Sequence, residues 1–135
     1  MRHFYDECSH GKARGLAELR NSCSSDIVWH SAAGRDLVGL EQLAASFEQA
    51  YAVFPDTKYE VNDTIAERDR CATRFTFSGT HRGELAGIAP TNKKIVMWAI
   101  AIVRFREGRM AEIWERYDTA TSMRELGSRA TVEQH

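Results

Sequence analysis

The chain is predicted to fold as one α+β domain, and three observations carry that prediction. A strong helical apolar spacing occurs only in the first half, ending at Pro55. Beyond Pro55 the period changes to two. Polar and glycine-containing turns then separate four strand-like runs. Helices first and antiparallel strands after them give a curved, mainly antiparallel sheet wrapped over N-terminal helices. A length of 135 residues with 43% hydrophobic content suits a single core. The domain is taken as 1–135, its ordered part running over about residues 16–127 with loose termini.

The first fifteen residues, MRHFYDECSHGKARG, carry little periodicity and read as loosely ordered. A helix covers Leu16 to Arg20, and DIVWH (26–30) reads as a short strand before the loop SAAGRD (31–36). The clearest helix is GLEQLAASFEQAYAVF (39–54). There Leu40, Leu43, Ala44, Phe47, Ala50, Tyr51 and Phe54 mark one apolar face, and Pro55-Asp56 stops it. KYEVNDTIAE (58–67) and CATRFTFSGTH (71–81) read as strands joined by a polar turn. RGELAGIAPTN (82–92) is a long connection. KIVMWAIAIVRF (94–105) is a strand, turned by REGR into a last strand that ends near Asp118. TATSMRELG (119–127) closes with a short helix and a glycine stop, followed by a frayed tail.

Charge is balanced, 18 basic against 19 acidic residues for a net −1, with no basic stripe. Nucleic acid and anionic membrane surfaces are therefore not expected partners. No apolar run approaches the roughly 18 residues of a membrane span. The N-terminus lacks a signal-peptide core. Cys8, Cys23 and Cys71 are an odd number at unrelated spacings, which predicts neither a disulfide framework nor a zinc site and fits a reduced cytoplasm. The five histidines lack ligand spacing, so no metal is expected. G-x-S-x-G, P-loop and G-x-G-x-x-G motifs are absent.

Alternation sorts the last strand into two faces. Met110, Glu112, Trp114, Arg116 and Asp118 share one; Arg109, Ala111, Ile113, Glu115 and Tyr117 share the other. The strand before it is apolar on both faces. One face packs on the helices, and the other is expected to meet a second copy, giving a homodimer. Asp118 shares its face with Trp114. If that face looks inward, burial raises the carboxyl pKa and suits it to acid/base work. If it does not, Asp118 is the N-cap of the helix beginning DTATSM.

The runs FSGTHRGELAGIAPTNKKIV, IVRFREGRMAEIWERYD and MRELG resemble the SnoaL-like polyketide cyclases of the nuclear-transport-factor-2-like superfamily, over roughly residues 26–127. The resemblance implies a cone-shaped α+β barrel with a hydrophobic pocket. It also implies a cofactor-independent cyclase or isomerase acting on a small hydrophobic, polyketide-like carbonyl compound. Asp118 matches the general acid/base of those enzymes, and His81 in GTHRG matches a histidine common among them. Asn92 stands where many members carry glycine, a substitution that a positive φ tolerates. Those cyclases place a polar partner on the strand before the last hairpin, where this chain offers only Arg104. His30 would border the pocket as a proton-transfer or ligand-binding group. Trp29, Tyr51, Phe54, Trp98 and Trp114 are the candidate walls for a flat apolar ligand. A non-catalytic protein that binds such a ligand in the same cavity is the alternative, and a pure interaction protein using the outer sheet face is a third.

Overall fold

A computed structural model of the chain describes residues 1–31 and 35–125. Two helices open the fold, α1 (Arg2–Cys8) and α2 (Lys12–Ser22). Two strands follow, β1 (Cys23–His30) and β2 (Asp36–Val38), and then the long helix α3 (Leu40–Val53). Four strands come next: β3 (Lys58–Glu67), β4 (Arg70–Thr80), β5 (Lys94–Arg106) and β6 (Arg109–Tyr117). The short helix α4 (Thr119–Glu125) ends the described chain. The strands form one open mixed sheet in the order β2-β1-β6-β5-β4-β3, parallel only between β1 and β6. This is the expected α+β architecture, with the helices on the concave side. Among the described residues no helix is long and apolar enough to cross a membrane.

The N-terminal expectation needs correction. Residues 1–15 are not loose: they form α1 and the start of α2 and bury Phe4, Tyr5 and Cys8. The physical cause is tertiary. The Tyr5 ring lies 4.5 Å from Phe75 and 5.2 Å from Tyr59. The loop expected over 31–36 is followed by a short strand that takes its last residue, because Asp36 and Leu37 pair with His30 and Trp29. The glycine stop at Gly127 and the tail lie outside the described residues.

Elsewhere, local chemistry explains each element. Gly39 caps α3 at φ 89°, a conformation glycine adopts without Cβ strain. The Gln42 side chain accepts the Val38 N–H at 2.8 Å, closing that corner. Glu107 and Gly108, both at positive φ, turn β5 into β6 as a two-residue hairpin requires. Gly79 lets Phe54 lie directly on β4, where an added Cβ would come within 2.9 Å of the Phe54 Cβ.

The register fixes which side chains face inward. Phe75 pairs with Ala99 and Ala99 with Tyr117; Ala101 pairs with Glu115, and Val103 with Ile113. These side chains pack under the helices. The opposite face of β5 is bare, with Val96 48%, Trp98 54%, Ile100 45% and Ile102 42% exposed. Both free edges of the sheet are guarded. Strand β2 is three residues long. On β3 a register shift falls between Val61 and Asp63. There the Tyr59 N–H donates to Ser9 Oγ at 2.8 Å, and Arg2 donates to the Val61 carbonyl at 3.2 Å.

Candidate active site

A cavity of about 540 Å³ opens between α3 and the concave face of the sheet. Helix α3 contributes Ser46, Phe47, Ala50 and Tyr51 at helical spacing, with Phe54 just beyond its end. The sheet contributes Trp29, Leu37, Tyr59, Phe77, Met97, Glu115 and Tyr117, and α1 adds Tyr5. Ser31, Arg35 and Ser46 stand at the mouth, and Thr57 completes the wall. The volume lies within the usual range for small-molecule sites.

Glu115 is the one carboxylate lining this cavity among the described residues, and it is only 7% exposed. Burial among aromatic rings pushes its pKa from 4.5 up to about 8, and the Trp29 indole N–H, donating to it, lowers the pKa only in part. The hydroxyls of Tyr59 and Tyr117 bond one another on the adjoining wall. Burial first, then Cys8 and Glu115 for Tyr59 and Glu115 for Tyr117, holds both phenols well above their ordinary range. They are therefore hydrogen-bond donors at any working pH. Tyr51 donates to the Cys8 carbonyl at 2.6 Å. Gly15 makes room for that hydroxyl, since a Cβ there would collide with it.

The residues expected from the sequence separate into two groups. Trp29, Tyr51 and Phe54 line the cavity. Asp118, His30, His81, Trp98, Arg104 and Trp114 do not. Asp118 follows β6 on the side away from the cavity lining, and its carboxylate accepts the Thr121 N–H at 3.4 Å at the start of α4. That is the capping geometry, and the inward face is the one carrying Glu115. The alternation that counted against Tyr117 in fact delivers it to the wall.

On the convex face, His30 Nε2 meets Glu112 at 2.8 Å and its Nδ1 meets Asp36 at 3.0 Å. Arg104 pairs with Glu112 at 3.3 Å. The bond to Glu112, followed by that to Asp36, raises the His30 pKa. Trp114 stacks on the His30 ring at 5.4 Å, Arg70 lies over the Trp114 ring at 5.8 Å, and Trp98 is exposed. These groups lie on the sheet's outer surface rather than in the pocket walls, because beyond the register shift β6 turns Glu112, Trp114 and Arg116 outward.

His81 is fully buried and holds the 82–92 connection in place. Its ring Nδ1 accepts the Thr91 N–H at 3.2 Å, and its backbone pairs with Asn92 and Lys93. Asn92 takes the positive φ that its position demands. All three cysteines are free and buried, and burial pushes the Cys8 and Cys23 thiols up to about 12, away from nucleophilic use.

As to metals, His3, Glu7 and Glu18, and likewise Asp6, Glu7 and His10, approach one another on α1 and α2. None of these lines the cavity, and Arg14 already occupies Glu7. The cavity itself offers one carboxylate and no imidazole or thiolate among the described residues, too few donors for a metal.

Comparison with known proteins agrees with this architecture. A candidate SnoaL-like polyketide cyclase from Jannaschia sp. CCS1 superposes with TM-score 0.85 at 17% identity, covering 95% of this chain and 88% of that one. AclR, a candidate hydroxylase from Streptomyces galilaeus, is 28% identical with TM-score 0.78, covering 93% and 94%. IdmH, a candidate polyketide cyclase from Streptomyces antibioticus, is also 28% identical with TM-score 0.78, covering 92% and 93%. No curated protein matches the chain. The signature of the SnoaL-like polyketide cyclases matches residues 1–126, and with the open cone-like sheet and its aromatic cavity this places the chain in the SnoaL-like polyketide cyclase family.

Proposed function

We propose that the protein is a cofactor-independent cyclase or isomerase that moves protons on a hydrophobic carbonyl compound, with Glu115 as the acid/base. The single observation that carries this is a carboxyl group, 7% exposed, set in the wall of an aromatic cavity. With a pKa near 8 about a tenth of it is ionised at pH 7, a poise suited to both proton abstraction and return. The ionised form takes the proton from the carbon next to the substrate carbonyl. The resulting enolate carbon attacks a second carbonyl of the same molecule, or is reprotonated at another position. Glu115 then returns its proton to the new alkoxide or carbon, so no proton is gained or lost overall. The O–H that the Tyr59–Tyr117 pair leaves free supplies the hydrogen bond that an enolate oxygen requires. Asp118, the acid/base in the sequence reading, is the cap of α4 in this assignment.

Exchange of α-protons tests the assignment without knowledge of the natural substrate. With 2-acetonaphthone in D₂O, the protein should accelerate deuteration of the methyl group, read by proton NMR. Glu115→Gln should abolish the acceleration and Asp118→Asn should keep it. Full exchange by Glu115→Gln, or loss confined to Asp118→Asn, would overturn the assignment.

We also propose that two copies associate through the convex sheet face. The row of Val96, Trp98, Ile100 and Ile102 supports this, since bare aromatic and branched side chains in one stripe are uncommon on a solitary domain. Arg74 and Arg116 lie on either side of Ile100 in the ladder, so two such faces can stack their apolar rows and leave the charges at the rim.

A further inference from the structure

We infer that the substrate carries a carboxylate, held by Arg35 at the cavity mouth while its ring system and reacting carbonyl lie inward beside Glu115. The inference rests on the cavity being the reaction site and adds what that site selects.

Arg35 lines both the cavity and the shallow groove outside it that includes Asp36, Gln42 and Gln49. Arg35 therefore stands at the border between the two. Its base is fixed: the Arg35 carbonyl accepts Ser31 Oγ at 3.1 Å, and the next residue, Asp36, is paired to His30 in the ladder. The side chain itself is exposed and has no ion pair among the described residues. Arg14, Arg20, Arg104 and Arg106 each meet a carboxylate, whereas Arg35 shares with exposed arginines such as Arg70 and Arg74 the lack of one among the described residues and differs from them in lining the cavity. The nearest acid in sequence, Asp36, is held by His30 Nδ1 at 3.0 Å. The Ser46 hydroxyl shares the same rim and offers a further donor to an anion.

Charge balance points the same way. Arg35 is the one cationic side chain of the described lining, and the phenols of the wall are un-ionised. At neutral pH Glu115 is mostly protonated as well. The cavity thus holds apolar walls, neutral donors and a single positive group at its open end. A forked guanidinium there matches a carboxylate in both charge and shape. Because Arg35 is exposed, the gain is that of a partly solvated pair, on the order of fivefold in affinity.

The probes are 2-naphthoate and its methyl ester, titrated against the whole protein by calorimetry at low and high salt. Naphthoate should bind on the order of fivefold tighter than the ester at low salt. That preference should shrink as salt is added, vanish in Arg35→Gln and reverse in Arg35→Glu, while ester affinity stays constant across the three proteins. Equal binding of acid and ester to the wild type, or a preference that survives in Arg35→Gln, would overturn the role of Arg35 and leave the cavity assignment standing. Failure of both probes to bind would overturn the cavity assignment too.

Discussion

Replacing Glu115 with Gln keeps the size of the side chain and removes its ionisation. In the unfolded chain this carboxyl titrates near 4.5; in the fold it holds its proton to about 8. Between those values the native state binds one more proton than the unfolded state, so stability falls as pH rises. The contribution is fully present below 4.5 and is lost as pH climbs through 8. A displacement of that size is worth about 5 kcal/mol at about 1.36 kcal/mol per pH unit. The group is 7% exposed, so water screens little of it. Glutamine has no such term, and its amide oxygen still accepts the Trp29 indole N–H. The stability of the variant minus that of the wild type should therefore grow from near zero at pH 4.5 to about 5 kcal/mol above pH 8. Urea unfolding of both proteins at half-unit steps gives this difference directly, and other titrating groups cancel in it. A difference that stays flat across the window would show that the carboxyl is solvated or ion-paired, and the acid/base assignment would lose its physical basis.

His30 should show the same sense of pH dependence at a smaller amplitude. Its raised pKa comes from Glu112 and then Asp36, so its stabilisation is full at pH 6 and lost on alkalinisation, and the gap to His30→Gln should close by pH 9. For so accessible a pair the effect should stay within about 1 kcal/mol in urea titrations. Gly15→Ala should cost about 1–3 kcal/mol and weaken ring-ligand binding, because the new methyl displaces the Tyr51 hydroxyl from the Cys8 carbonyl. Thermal unfolding and probe titration would both detect it. Trp98→Glu should shift sedimentation from two copies to one with little loss of monomer stability, since the ring is 54% exposed within one chain. An unchanged sedimentation coefficient would remove that face from the association.

Most of the architecture is legible in the chain because α3 and the strands β3 to β6 carry strong periods of their own. Helix α1 is not: it has seven residues, and Tyr5 gains its meaning only against Phe75 and Tyr59, more than fifty positions away. The site was half legible. Alternation separates Glu115 from Asp118 correctly but does not say which set faces inward, since both carry apolar neighbours. The deciding signal lies one strand further off. On β4, Phe75 and Phe77 oppose Arg74, Thr76 and Ser78, so the inward face there is unambiguous. Carrying that face across the ladder through Ala99 and Met97 reaches Tyr117, and two residues back along β6 stands Glu115. The long-range register, absent from any single strand, is what makes the assignment.

The guarded borders of the sheet bear on how copies of this molecule can combine. Arg2 of α1 and Ser9 just beyond it occupy backbone groups of β3 that a foreign strand would need, and β2 is too short to template one. Growth by adding strands is thereby discouraged at both ends, and the sheet offers newcomers only its bare convex surface. That surface can be covered once per molecule, so the proposed association through it would end in a closed pair and not in a fibre.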